Sequence, residues 1–302
     1  MKTTINNILI PIDLSDTGLN ALNTAVKMAS RQRANLHLLY VQDIMNYYPR
    51  QGQLSTIEPM MEEIFEKDKY LIERTAAAIV KDYQVNCHCH TVTGLLSTAV
   101  EEMAKEINAD LIITGIPSGL KDQSYLFDSA AYQIIKSAPC HVLTVPAGRK
   151  VNNFKHIVYP VISDGQPMAS LPLTSAVIEK NDADVSIVSV IQKDNADLLS
   201  SITSFAERIR HKTQKISRSA RTRPLYTSNV VKALSRICRE EEADLIVIEL
   251  NKTRTLKEFF YGSFTQKMIR NPDAAVLCVK GDFKSKATTL KIAYQRKANL
   301  TV

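Results

Sequence analysis

Short runs of isoleucine, valine and leucine alternate along this chain with longer stretches in which apolar positions return every three or four residues. The first run, Ile8-Leu9-Ile10-Pro11-Ile12, ends at Asp13 and gives way to a helix whose cap is expected at Ser15. Ala34 to Val41 is a second run. Ahead of a later one, Leu111-Ile112-Ile113, the positions Ala99, Val100, Met103, Ala104 and Ile107 mark the buried stripe of a helix. Near-continuous apolar strands separated by amphipathic helices predict parallel sheet covered on both faces.

The pattern is written twice. His156 to Ile162 restates Asn7 to Asp13 at a spacing of 149 residues, and Ala183 to Val190 restates Ala34 to Val41 at the same spacing. Further on the spacing falls to 134: Ala243 to Val247 restates Ala109 to Ile113, and Pro272 to Val279 lies near Ala138 to Val145. Ala233, Leu234, Ile237 and Cys238 repeat the helical stripe. The change in spacing places an insertion in the first copy, at about residues 43–62. There Tyr47, Tyr48, Pro49, Gly52 and Pro59 argue against regular structure through Asp43–Glu58.

The expected fold class is therefore α/β, as two tandem open parallel-sheet domains of about five strands and four helices each, with helices on both faces. The first spans residues 1–148 and the second 149–282. Residues 283–302 form a tail or an added strand, in which Leu290, Ile292 and Tyr294 alternate with Lys291 and Ala293. Pro172 should kink the second copy's first helix or mark its start. The third strand of that copy is expected within Lys212–Arg223, where Lys215, Arg218, Arg221 and Arg223 would guard a sheet edge.

Composition agrees with two domains, each able to bury a core within 302 residues. Met1-Lys2-Thr3-Thr4 leads into a run too short for a signal peptide, and no stretch approaches 18 uncharged apolar residues, so a membrane span is not expected. Five cysteines, an odd number mostly inside apolar segments, read as reduced thiols and point to the cytoplasm. The net charge of +7 is unevenly divided: residues 1–149 carry −3 and residues 150–302 carry +10. This asymmetry suits attraction between the halves, or an acidic partner for the second; a nucleic-acid surface would need interleaved aromatics, which the basic run lacks.

Ligands of open parallel sheets bind beyond the carboxyl ends of the strands, where strand order reverses. In the first copy that rim is supplied by Asp13, Val41, Gly94, Gly115 to Gly119 and Ser129. Neither the dinucleotide G-x-G-x-x-G nor the G-x-x-x-x-G-K-[ST] loop occurs. The succession of a strand ending in Asp13, then Ala109-Asp110-Leu111-Ile112-Ile113-Thr114-Gly115, a loop, and Ser129-Ala130-Ala131-Tyr132-Gln133-Ile134-Ile135 running on to Val145 resembles the universal stress protein family in tandem form, over residues 5–147 and 153–280.

The resemblance implies strand order 3-2-1-4-5 in each copy and a stress-response or regulatory role. It also implies, in some members, an ATP cleft with an aspartate at the end of the first strand and a spaced glycine loop after the fourth. Mapped onto this chain, Asp13, Val41, Gly115 and Ser129 match, while Ser118 and Asp128 stand where the second and third glycines would be; Gly119 fits only with a one-residue shift. A carboxylate such as Asp128 at an anion site repels phosphate. In the second copy Ile162 replaces the aspartate and Glu249 and Lys252 replace the first two glycines, although Gly262-Ser263 keeps the last pair. Lys252, Arg254 and Lys257 could hold an anion without the cradle.

The expectation is a non-enzymatic cytoplasmic stress-response protein with a degenerate adenine-nucleotide cleft in its first domain. An ATP sensor with slow hydrolysis, and a module for an acidic partner through the basic half, are the alternatives. No catalytic constellation converges. In Cys87-His88-Cys89-His90 the cysteines share one strand face and the histidines the other, so each face offers two ligands, short of a zinc site; two cysteines packed inward is the plainer reading. Single-domain relatives often pair through the last strand. The resemblance therefore implies that Ala138–Val145 and Ala274–Val279 pack the two copies together as an internal pseudo-dimer, with a homodimer of the whole chain or an unidentified protein or small-molecule partner left open.

Overall fold

Ten strands among the described residues form one sheet whose order reads the same from either end. The structure is a computed structural model that describes residues 4–42, 54–117, 130–162, 170–192, 198–250, 264–270 and 273–280. The first half runs β1 (Asn7–Pro11), α1 (Asp16–Gln32), β2 (Asn35–Gln42), α2 (Leu54–Tyr83), β3 (Cys87–Thr93), α3 (Leu96–Glu106), β4 (Leu111–Ile116), α4 (Ala130–Ser137) and β5 (His141–Pro146). The second runs β6 (His156–Val161), α5 (Leu171–Asn181), β7 (Asp184–Ile191), α6 (Leu199–Thr213), β8 (Ser219–Tyr226), α7 (Val230–Glu240), β9 (Leu245–Leu250), α8 (Phe264–Ile269) and β10 (Ala275–Lys280).

The order β3-β2-β1-β4-β5-β10-β9-β6-β7-β8 is 3-2-1-4-5 in each half. Pairing within each half is parallel; β5 and β10 join the halves antiparallel, through Val142–Thr144 and Val276–Cys278. Leu143 faces Leu277, its own counterpart at the 134-residue spacing, so the junction is a pseudo-two-fold one. Tyr132 on α4 and its counterpart Gln266 on α8 are hydrogen-bonded across the same axis. The two expected sheets are thus one continuous sheet.

Helices α1, α2, α5 and α6 cover one face and α3, α4, α7 and α8 the other. Strand residues such as Ile8, Leu9, Leu36, Leu38 and Leu111 are fully buried because both faces are covered. Ser15 caps α1, its hydroxyl accepting from Gly18 N–H at 3.1 Å, and α5 starts at Leu171 with Pro172 in its first turn, where a proline lacks nothing the helix needs.

Two expectations about boundaries are corrected. The stretch read as irregular through Glu58 is helical from Leu54, because the extra length of the first copy extends α2 to 30 residues against 15 in α6. Pro59 removes one backbone bond near the helix start, a local loss set against the long helix-forming run that follows it. In the second half the third strand, expected within Lys212–Arg223, begins inside that window at Ser219, after α6 ends at Thr213 and a turn intervenes, but runs past its end to Tyr226. The rest of the insertion, residues 43–53, and the tail from Phe283 lie outside the described residues.

Candidate functional site

In the first half the helix after β1 returns to β2 and the helix after β3 returns to β4 on the opposite face, so strand order reverses between β1 and β4. Asp13 lies just beyond β1, exposed, and Gly115 lies near the end of β4, beside Val145 of β5. Asp13 Oδ1 accepts from the Ser15 hydroxyl at 2.6 Å and from Ser15 N–H at 3.1 Å. Between them Leu14 takes a left-handed backbone, φ 60°, a conformation that costs a bulky residue about 1 kcal/mol or more and that the Asp13 bonds help to hold.

The first turn of α1 then lies against both sides of the crevice. A Cβ on Gly115 would come within 2.7 Å of the Thr17 carbonyl oxygen, and one on Gly18 within 2.4 Å of Asp13 Oδ1. Gly18, whose smallness sets where the carboxylate sits, was missed from sequence: a glycine in a helix gives no hint of a close approach. Val41, partly buried, closes the β2 side of the rim. The structure thus brings Asp13, Val41 and Gly115 to one end of three strands. Ser129, Gly262 and Ser263, like Ser118, Asp128 and Lys252, lie outside the described residues.

The corresponding crevice of the second half is built differently. Ile162, in place of the aspartate, packs on the apolar core. Leu171, the first residue of α5, corresponds to Leu22 within α1, so α5 begins later than its counterpart. Glu249 stands at the Gly115 position and reaches the start of α5, accepting from the Ser170 hydroxyl at 3.2 Å; Ser170 also hydrogen-bonds the buried Tyr159 hydroxyl. The second carboxylate oxygen, Oε1, is buried without a hydrogen-bond partner among the described residues. Burial pushes the Glu249 carboxyl up to about 7, the Ser170 bond opposing it weakly.

A raised carboxyl favours its protonated form in the fold, so the second domain is most stable at this site below about pH 4.5 and loses stability as pH rises through 7. Glu249→Gln should therefore gain about 1–2 kcal/mol at pH 8 and little at pH 5, as read by urea unfolding at both values. An equal gain at both pH values would contradict the burial argument.

The Cys-His-Cys-His run divides by face as expected. Cys87 packs on the core beneath α2, but Cys89 is exposed, its thiol 3.8 Å from the Ile72 carbonyl, which corrects the expectation that both are packed inward. β3 is the last strand of the sheet, so its second cysteine is not covered. On the other face His37 of β2 joins His88 and His90, a third imidazole that local spacing could not reveal. Among the described residues no group of three or more His, Cys, Asp or Glu side chains is placed to hold a metal ion. The thiols are all free, and burial pushes Cys87, Cys140, Cys238 and Cys278 up to about 12. No described helix is long and apolar enough to cross a membrane.

Comparison with known proteins places this geometry. A universal stress protein of Methanocaldococcus jannaschii is 28% identical over 145 residues, which cover 47% of this chain and 83% of that protein. A Staphylococcus aureus protein provisionally named a universal stress protein is 32% identical over 151 residues, covering 47% and 84%. The crystal structure of a universal stress protein from Archaeoglobus fulgidus superimposes with a TM-score of 0.70 at 16% identity, covering 92% of this chain and 97% of that one, so the tandem arrangement of the fold is shared. The model of the universal stress protein family matches residues 4–146 and again 153–280, and the chain belongs to that family.

Proposed function

We propose that the chain is a stress-response regulator that works by binding rather than turnover, with one weak adenine-nucleotide site per chain, in the first domain. The observation that carries this reading is the contrast at one position: Gly115 leaves the first crevice bordered by Asp13 and the α1 turn, whereas Glu249 puts a carboxyl into the second. The described residues fit the nucleoside end of such a ligand. The exposed Asp13 carboxylate would accept a ribose hydroxyl, and Val41 offers an apolar edge for the base. The sequence puts Asp128 where the family's third glycine would stand, and a carboxylate there would repel phosphates, making affinity weak and ATP no better bound than AMP. Five free thiols, three of them buried, suit work in the reducing cytoplasm.

The basic second half favours the regulator over a nucleic-acid binder, because several of its arginines, among the described residues, are paired with carboxylates. Arg221 and Arg223 pair with Glu241, Arg218 with Asp184, Arg210 with Glu207 and Arg239 with Asp273. Calorimetric titration of AMP and ATP, with magnesium, into the full chain tests the proposal. One site per chain is expected, weakened at least about tenfold by Asp13→Ala and unchanged by Glu249→Gln. No heat and no thermal shift at millimolar nucleotide would overturn it, as would two equal sites.

A further inference from the structure

The two outer edges of the sheet, β3 and β8, are counterparts, yet their inner faces carry opposite solutions to the same packing problem. On β8, Arg221 pairs in register with Ser186 and Arg223 with Val188; on β3, His88 pairs with His37 and His90 with Leu39. In the second domain Glu241 is nearly buried and takes Arg223 at 2.8 Å, Arg221 at 3.2 Å and the Ser186 hydroxyl at 3.2 Å. Its counterpart at the 134-residue spacing is Ile107, so the first domain has no carboxylate at that place. Instead three imidazoles stack, His37 on His88 with centroids 4.9 Å apart and on His90 at 5.2 Å.

The geometry of this stack disfavours a charge on His37. His37 is buried, its Nδ1 lies 3.0 Å from His90 Nε2, and its own Nε2 is buried without a partner among the described residues. One proton between His37 Nδ1 and His90 Nε2 makes that hydrogen bond and, when it sits on His37, leaves only a lone pair on the sealed Nε2 side. A second proton on His37 would either face the sealed Nε2 side or oppose an N–H of a protonated His90. Of the elements packed on this face, α3 brings one charged group, Glu106, which acts on His90; β1 brings Leu9 beside His37; and the other titratable groups that His37 meets are His88 and His90 themselves.

We propose that the outer edge of the first domain is an acid-responsive element, in which protonation of the buried His37–His90 pair, stacked on His88, releases β3 from β2 while the arginine–glutamate edge of the second domain stays closed. The sign follows from His37: burial first, then His88 and His90, hold it down to about 4. A histidine lowered in the fold stabilises it fully above the unfolded value, about 6.5, and that stability drains away as pH falls toward 4. The ion pairs around Glu241 do not titrate in this window, because its carboxyl is lowered by Arg223, Ser186 and Arg221 against the opposing effect of burial.

Hydrogen exchange on the full chain at pH 7.5 and 5.5, corrected for intrinsic rates, reads the two edges separately. The opening constant of β3 amides should rise about tenfold from His37 alone, with β8 amides unchanged. Importing the second-domain solution, with His37→Ser, His88→Arg, His90→Arg and Ile107→Glu together, should flatten the β3 response. His37→Gln, a smaller change, should remove most of it if the fourfold variant does not fold. Equal responses at β3 and β8, no response at β3, or a His37 ring that titrates near 6.5 by NMR would each overturn the proposal.

Discussion

Replacing Asp244 by alanine should destabilise the chain by about 3 kcal/mol. Its Oδ2 accepts from Lys155 N–H at 2.8 Å and His156 N–H at 3.0 Å, pinning the start of β6 to the start of β9. Its Oδ1 takes Arg149 at 3.1 Å, and the same guanidinium also reaches the carbonyls of Asp273 and Glu242. Alanine therefore strands two backbone donors and leaves the guanidinium that ties the segment between domains to the second one with carbonyl partners only. Asp110 is the counterpart in the first domain, accepting from Asn6 and Asn7 N–H at 2.7 and 3.1 Å but holding no arginine.

The comparison isolates the arginine. Asp110→Ala should lose about 2 kcal/mol in denaturant unfolding, and the further loss in Asp244→Ala should vanish in an Arg149→Ala background. Asp244→Asn, whose amide oxygen still accepts, should recover part of the loss. A loss under 1 kcal/mol for Asp244→Ala would show that this latch is not what holds the domains. The latch does not act alone: Asn20 donates to the carbonyls of Pro146 and Arg149, Thr24 to that of Val151, and Arg31 to that of Asn152, so α1 grips the same segment from the first domain.

What the sequence revealed, and what it concealed, divides along physical lines. Apolar periodicity at a fixed spacing exposes the duplication and nearly every strand, because burial on both faces leaves an unmistakable composition. Strand order came with the family resemblance alone, since parallel strands buried on both sides carry no pairing signal. The register of β5 on β10 was equally hidden: Val142 to Val145 and Val276 to Val279 are uniformly buried, so a slip of one residue looks no different in composition. Pro59 and Gly52 were read as breakers, and a long downstream helix overrode the first of them. That Asp13, Val41 and Gly115 stand at the ends of three strands was legible. Gly18, the Tyr159–Ser170–Glu249 chain and the arrival of His37 beside His88 and His90 were not, because each depends on contacts between residues distant in sequence or on the depth of a helix turn.

Gly115 is where fold and proposed function meet, and Gly115→Ala should lower stability by about 1–3 kcal/mol through overpacking. The added methyl would meet Thr17 Cγ2 at 2.6 Å and the Thr17 carbonyl oxygen at 2.7 Å. A backbone oxygen in the first turn of α1 cannot rotate away, so the helix must lift from β4. Thr17 lies between Ser15 and Gly18, so lifting the turn also disturbs the bonds that hold Asp13. Gly18→Ala makes the matching control. Its methyl would meet the Asp13 carboxylate, the free end of a side chain, at 2.4 Å, and alanine gains about 1 kcal/mol of helix preference over glycine. That variant should unfold no earlier than the parent while displacing Asp13, and its nucleotide heat should fall with stability intact. Gly115→Ala that folds as well as the parent would mean α1 does not rest on β4. Gly18→Ala that binds unchanged would remove Asp13 from the site.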